Sequence, residues 1–263
     1  MEAPPCRILT FSDTLMFIAE FNVARNIQAI EVSLRSLCAR MGIDYFCLMI
    51  FLPSAIQRPD IRILNGCPDE WARTYREQGL WAVDPVVRKG MTQGAPILWA
   101  NIIAECLDQQ DDVGLAVMLE AQQHGLRDGV TLPWRGAHGQ VGLLSLSTRQ
   151  AHPEEQWLAL CPCLAWLVTH LFEVVSRECK SDMVHRDALS LREREVCQWA
   201  AEGKQVSDIG KILGITPRTV TFHLERVIKK LGASNKNQAI SWALVQGVVQ
   251  LNIKTARVVN AVK

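Results

Sequence analysis

The chain has 263 residues, 49% of them apolar and 21% charged, with a formal net charge of +1. That length fits two modest domains better than one, and that composition excludes extended disorder, collagen-like repetition and a coiled-coil rod. Its nine cysteines, an odd number with no Cys-x-x-Cys pair, indicate neither a disulfide framework nor a zinc site, and Met1–Arg7 lacks the character of a secretory signal, so a reducing cytoplasm is the expected compartment.

Leu15, Ile18, Phe21, Ile27, Ile30, Leu34, Leu37 and Cys38 recur at helical spacing and predict one or two packed helices over 11–41. Tyr45–Leu52 reads as a buried strand. Ile61–Leu64, Gly129–Leu132 and Gln140–Leu146 read as further strands, with Gly136-Ala-His-Gly139 as a hairpin turn. Pro68-Asp69-Glu70 opens a helix on which Trp71 and Tyr75, four apart, share a face. Asp84 precedes Pro85, which disfavours helix and predicts an extended stretch there. Ser145 alternates with Leu144 and Leu146, so it shares a sheet face with Val141 and Leu143. Strands flanked by helices predict an α+β fold whose N-terminal part is an α/β/α sandwich around an antiparallel sheet, with room between layers for a small apolar ligand. Asp84, Trp71, Tyr75 and Ser145 would offer it one carboxylate, one indole N–H and two hydroxyls, the complement of an N-acyl lactone with its amide N–H, two carbonyls and apolar chain; taken on residue types alone, the stronger alternative is that Trp71, Tyr75 and Trp99 are core aromatics and Asp84 caps a turn.

Trp157–Val175 is the most apolar stretch, but Pro162, His170 and Glu173 interrupt it. A buried or subunit-contacting helix is predicted, not a membrane span. Cut before Arg186, the chain separates into a C-terminal part with 13 basic and 6 acidic residues, net +7, and an N-terminal part with 15 and 21, net −6. A basic segment suits a polyanion, because cation–phosphate pairing releases condensed counterions.

After Ser190, a helix N-cap with Glu193 three residues on, Leu191–Glu202 reads as an amphipathic helix stopped by Gly203. A second helix fits Val206–Leu213. Gly214-Ile-Thr216 supplies a turn and cap, Pro217 opens a third helix to Leu231, and a fourth runs from Asn237 to Gln246. At 100° per residue, Val220, Leu224, Val227 and Leu231 face the core, while Arg218, Phe222, Glu225, Arg226 and Lys229 lie opposite with Thr221 on the shoulder. Two helices joined by a tight turn, the second exposing Arg, Thr and an aromatic ring, have the geometry that enters a DNA major groove. Arg226, Phe222 and Thr221 are the candidate base readers, with Lys204, Arg218, Lys229 and Lys230 on phosphates.

The string Leu191-Arg-Glu-Arg-Glu-Val196, Gly203-Lys204, Ile212-Leu-Gly-Ile-Thr216, Arg218-Thr219-Val220, Phe222-His-Leu224, Lys230-Leu-Gly-Ala233 and Asn235-Lys236 resembles the LuxR-type helix-turn-helix domain over essentially all of 189–250. The resemblance implies a four-helix DNA-binding domain whose last helix pairs two subunits, with Thr216 and Thr219 in the motif beside the readers named above. Cys197 replaces the usual Leu, and Glu225 is acidic on the DNA-facing side.

Further upstream, Trp71-x3-Tyr75, Asp84-Pro85-Val86, Pro96-Ile-Leu-Trp99, Gly125-Leu126-x2-Gly129 and Leu144-Ser-Leu-Ser147 resemble the autoinducer-binding domain of quorum-sensing LuxR regulators over roughly 15–175. By resemblance, Trp71 donates to a lactone carbonyl, Asp84 accepts from the amide N–H, Tyr75 and Ser145 hold the acyl carbonyl, and Trp99 packs beside the ring. Cys67 stands where acyl-lactone binders commonly place a Tyr, Val117 and Met118 stand where aromatics often close the pocket, and Gln109–Val113 has the look of an insertion.

The expected domains are 11–178 for ligand, 179–188 as linker, 189–251 for DNA and 252–263 as tail. The expected partners are an inverted-repeat promoter duplex, an N-acyl-homoserine lactone as small-molecule autoinducer, a second copy in a homodimer, and RNA polymerase, with no cofactor. A LuxR-type regulator acting without autoinducer, its pocket altered at Cys67, Val117 and Met118, is the alternative. The six histidines have no metal spacing and no nucleophile or nucleotide motif is present, so an enzyme is not expected.

Overall fold

The computed structural model describes residues 6–53, 59–137, 139–181 and 189–249. Most of the expected linker, the whole of the tail 252–263 and His138 of the predicted hairpin turn lie outside the described residues. The chain divides into two compact units, one built on a sheet and one on C-terminal helices.

In the first unit, α1 (Phe11–Val23) and α2 (Ile27–Met41) precede β1 (Tyr45–Leu52) and β2 (Asp60–Asn65). Then come α3 (Asp69–Glu77), a 3-10 turn at Leu80–Ala82, α4 (Pro85–Gly90), β3 (Ile97–Leu98), α5 (Trp99–Asp108) and α6 (Asp112–Gln123). The hairpin of β4 (Asp128–Arg135) and β5 (Val141–Thr148) leads into α7 (Glu154–Ser181). The strands pair antiparallel throughout in the order β2-β1-β5-β4-β3, so the expected α+β class holds.

Strand periodicity gives the sheet two different faces. Phe46, Leu48 and Ile50 of β1, Val130, Leu132 and Trp134 of β4, and Leu144 and Leu146 of β5 form one core with Phe17 and Phe21 of α1, Leu34 of α2, and Leu164, Leu171 and Phe172 of α7. Each such side chain contributes roughly 1.5–3 kcal/mol on burial. Glu154–Cys179 is long and apolar enough to cross a membrane by length and composition, but its apolar side packs into this core, the buried-helix outcome that the sequence predicts. A buried acid fastens the α7 end: Asp128 Oδ2 accepts from Trp157 Nε1 at 2.8 Å and from the His152 amide at 2.9 Å.

The other face presents Cys47, Met49, Leu143, Ser145 and Thr131 to a layer made by α3 to α6. Asp84 is extended, as predicted, but the helix starts immediately afterwards, because Pro85 at its first position needs no N–H partner and only the preceding residue is restricted. Of Gln109–Val113, the first three residues form the α5–α6 turn and the last two open α6, with Gln110 left-handed at φ 55° and Asp111 capping α6 through the Gly114 amide at 2.9 Å. β3, α5 and α6 carry no periodicity that the sequence reading assigns.

In the second unit, α8 (Leu191–Ala201), α9 (Val206–Leu213), α10 (Pro217–Leu231) and α11 (Lys236–Val245) follow the predicted boundaries to within a residue or so. Gly214 and Gly232 end α9 and α10 in the left-handed region, at φ 64° and 65°. Val196, Ala200, Ile209, Val220 and Leu224 form one cluster, and Cys197, Val227, Leu231, Ala239 and Ala243 another. Cys197 is a fully buried small apolar group.

Gly129 lets an indole lie flat on the sheet. A Cβ there would stand 2.5 Å from the Leu146 carbonyl oxygen and 3.0 Å from the Trp99 ring. Gly129→Ala is therefore expected to cost about 1–3 kcal/mol through overpacking, seen in thermal melting as a fall of roughly 2–10 °C; an unchanged melting temperature would contradict this packing.

Candidate functional site

Between the second sheet face and α3–α6 lies a cavity of about 70 Å³. One water needs about 10–15 Å³ by that measure, so the space exceeds a single solvent molecule severalfold. Cys67, Trp71, Tyr75, Asp84, Trp99 and Ser145, the six residues singled out in the sequence, all line it, together with Val117 and Met118. Their convergence has local causes. Spacing on α3 sets Trp71 beside Tyr75 with ring centroids 5.4 Å apart and planes tilted by 57°, while sheet register sets Ser145 opposite Cys47 on one side and Thr131 on the other.

The polar groups are largely committed to one another. Asp84 Oδ1 caps α4, accepting from the Val86 amide at 2.8 Å and the Val87 amide at 3.4 Å, and Oδ2 accepts the Tyr75 hydroxyl at 2.7 Å. Burial raises the Asp84 carboxyl above its ordinary range, against those hydrogen bonds, which pull it down. Burial and the neighbouring Asp84 charge hold the Tyr75 phenol well above its usual value. The Cys67 thiol, pushed up to about 12 by burial, points at the Phe46 carbonyl 3.4 Å away and so offers its proton to the backbone and not to the cavity. The Trp71 indole N–H has no hydrogen-bond partner among the described residues; its ring lies 5.6 Å from that of His124. Trp99 Nε1 donates to Thr131 Oγ1 at 3.0 Å, and Thr131 Oγ1 is 2.8 Å from Ser145 Oγ.

Thr131 went unnoticed in the sequence. Its signal was present in strand parity, since it lies two residues after Gly129 and directly across from Ser145.

On α10, Thr216 caps the helix through the Thr219 amide at 3.1 Å, and its hydroxyl meets that of Thr219 at 2.8 Å. Arg218, Thr221, Phe222, Glu225, Arg226 and Lys229 are exposed, as is Lys204 before α9. Phe222 is 50% exposed, and the Arg226 guanidinium lies 5.6 Å from its ring centroid. Glu225 makes no ion pair among the described residues. Lys230, a candidate phosphate contact, is held within its own unit. Its Nζ turns inward to Glu193 Oε2 at 2.8 Å, while Arg226 Nε meets Glu193 Oε1 at 3.0 Å. Glu193, 2% exposed, also accepts the Ser190 amide at 2.7 Å, so the capping acid of α8 doubles as the anchor of α10. That second role has no local sequence signal, because the partners are 33 and 37 residues away.

A cavity with mostly apolar walls and a few polar groups in one unit, and an exposed cationic helix preceded by a tight turn in the other, are the features of a small-molecule-binding domain and a DNA-binding module. The autoinducer binding domain family matches residues 27–175, and the luxR family of bacterial regulatory proteins matches residues 187–243. The transcriptional activator AhyR of Aeromonas hydrophila is 35% identical over 223 residues, 84% of this chain and 85% of its own length. The transcriptional activator LuxR of Aliivibrio fischeri is 31% identical over 238 residues, 88% and 92% of the two chains. SdiA in complex with octanoyl-rac-glycerol superposes with a TM-score of 0.74 at 25% identity over 92% of this chain and 98% of that one. The chain belongs to the luxR family of bacterial regulatory proteins. It is a transcription regulator with an autoinducer-binding and a DNA-binding domain, rather than an enzyme.

Burial tends to raise the Glu193 carboxyl, but hydrogen bonds from Lys230 and Ser190 with the Lys230 charge outweigh it and hold it below its ordinary value of 4.5. A depressed acid stabilises the fold above its unfolded value and loses that contribution as pH falls through the folded one. Glu193→Gln should therefore lower the melting temperature at pH 7 by several degrees, about 1–3 kcal/mol for weakened buried bonds, and the difference from the parent should shrink as melts are recorded below pH 4.5. A gap that stayed constant with pH would contradict the ion-pair account.

Proposed function

We propose that this regulator is a cytoplasmic homodimeric activator that holds an N-acyl-homoserine lactone in the N-terminal unit and reads an inverted-repeat promoter element with α10. The domains would run 11–178 for ligand and 189–251 for DNA, joined by 179–188, with 252–263 as a tail. The observation that carries the ligand half is the donor–acceptor balance of the cavity. Two carbonyls need two donors, supplied by the Trp71 N–H and the Ser145 hydroxyl. The amide N–H needs an acceptor, supplied by the second lone pair of Asp84 Oδ2 beside Tyr75. Trp99 packs against the ring, and Tyr75 acts through Asp84 because its proton is already given there. Val117 and Met118 stand in the wall of a cavity that is open despite them, which favours a responsive regulator over one acting without autoinducer. The acylglycerol held by the related SdiA supports an acyl chain as the apolar part.

For DNA, Phe222, Thr221 and Arg226 would meet base edges, with Glu225 accepting from a cytosine amine. Lys204, Arg218 and Lys229 would hold phosphates, and Thr216 and Thr219 would set the helix start. Lys230 would act indirectly, by fixing Glu193 and with it Arg226. Pairing through α11 supplies two-fold symmetry, hence half-sites near one helical turn apart or a multiple of it. RNA polymerase is the partner that activation requires.

Selection from a random duplex pool tests this reading. The full chain with lactone should enrich a two-fold-symmetric site, and Phe222→Ala should weaken that site more than random duplex, by roughly tenfold for a contact of 1–3 kcal/mol. Equal losses on both DNAs, or no enriched sequence, would reduce the basic face to non-specific electrostatics.

A further inference from the structure

The hydrogen bonds at the floor of the cavity have a fixed direction. An indole can only donate, so Thr131 Oγ1 accepts from Trp99 Nε1 at 3.0 Å. Thr131 is 0% exposed, and among the described residues one acceptor stands within reach of its own proton, Ser145 Oγ at 2.8 Å. Leaving a buried hydroxyl proton without an acceptor is unfavourable enough to settle the direction, so the proton points from Thr131 to Ser145. Ser145 Oγ, already accepting, keeps its proton for the cavity it lines. Two neighbouring polar protons are committed elsewhere, that of Tyr75 to Asp84 and that of Cys67 to the Phe46 carbonyl, while the Trp71 N–H is left for a second acceptor on the ligand.

Resting on the lactone reading above, we infer that Thr131 is a positioning residue: it touches no ligand, but fixes Ser145 as the donor to the ligand's acyl carbonyl, doing from the adjacent strand what the side chain at Cys67 does not. Thr131 itself is absent from the cavity wall. The Trp99–Thr131–Ser145 relay thus ties the stacking aromatic and the carbonyl donor to one hydroxyl. A ligand that displaces Trp99 would also misdirect Ser145.

The test is a titration of the full chain with hexanoyl- and dodecanoyl-homoserine lactone, following Trp fluorescence. Thr131→Val, nearly isosteric, should weaken binding of the better ligand about fivefold, the value of one hydrogen bond. Thr131→Ser, which restores the hydroxyl, should recover affinity to within about twofold of the parent. On a Ser145→Ala background, Thr131→Val should cause no further loss, since the relay then has nothing to orient. Melting of each unliganded variant separates damage to the fold from damage to binding. Equal losses from Thr131→Val on both backgrounds, or failure of Thr131→Ser to rescue, would overturn the positioning role while leaving the lactone reading intact. Absence of binding by the parent chain to either lactone would overturn that reading and the relay with it.

Discussion

A carboxylate placed inside an apolar layer has to be answered by donors, and in the sensor unit Asp84 imposes that requirement on everything around it. Its two oxygens take the first amides of α4 and the hydroxyl of Tyr75 on α3, so one buried acid fixes the relation of two helices that wall the cavity. An unanswered group at that depth would cost several kcal/mol. The arrangement satisfies Asp84 from within the protein yet leaves a lone pair on Oδ2, room for one further donor without rearrangement.

The DNA-binding unit uses a buried acid in a comparable way. Glu193 closes the capping box of α8 and draws Arg226 and Lys230 of α10 onto itself, so the same residue starts one helix and orients another. Lys230 is removed from the pool of free cations, and Arg226 is held by Nε while its guanidinium stays half exposed beside Phe222. The exposed face is therefore less basic than a count of its lysines and arginines suggests, and more ordered. Base reading benefits from order, because a side chain already held in place loses less conformational freedom on binding.

Much of this was legible in the sequence where the signal is local. Helix caps at Ser190 and Thr216, the stop glycines, and the core stripe of Val220, Leu224, Val227 and Leu231 follow from residue type and a 100° step, and the helices of the second unit lie close to where those signals put them. Trp71 and Tyr75 fall on one face for the same reason. Features set by distant pairing were not legible. Thr131 matters through strand register, Glu193 through cations two helices later, and Asp128 through Trp157 of α7. The short strand Ile97–Leu98 escaped because two residues carry no period. The extended stretch expected around Asp84–Pro85 shrank to one residue, since proline restricts its predecessor and starts a helix readily.

Ligand control in such a molecule is a matter of linkage: a compound that binds the folded sensor stabilises it in proportion to ln(1 + [L]/Kd), about 2.7 kcal/mol at a hundredfold excess over Kd. The most direct measurement is thermal melting of the chain with a panel of N-acyl-homoserine lactones of graded acyl length, beside Asp84→Asn. The account predicts a rise of roughly 5–10 °C for the best-fitting lactone, with most of the rise lost in Asp84→Asn. A melting curve that no acyl length moves, or an equal rise in both proteins, would contradict it.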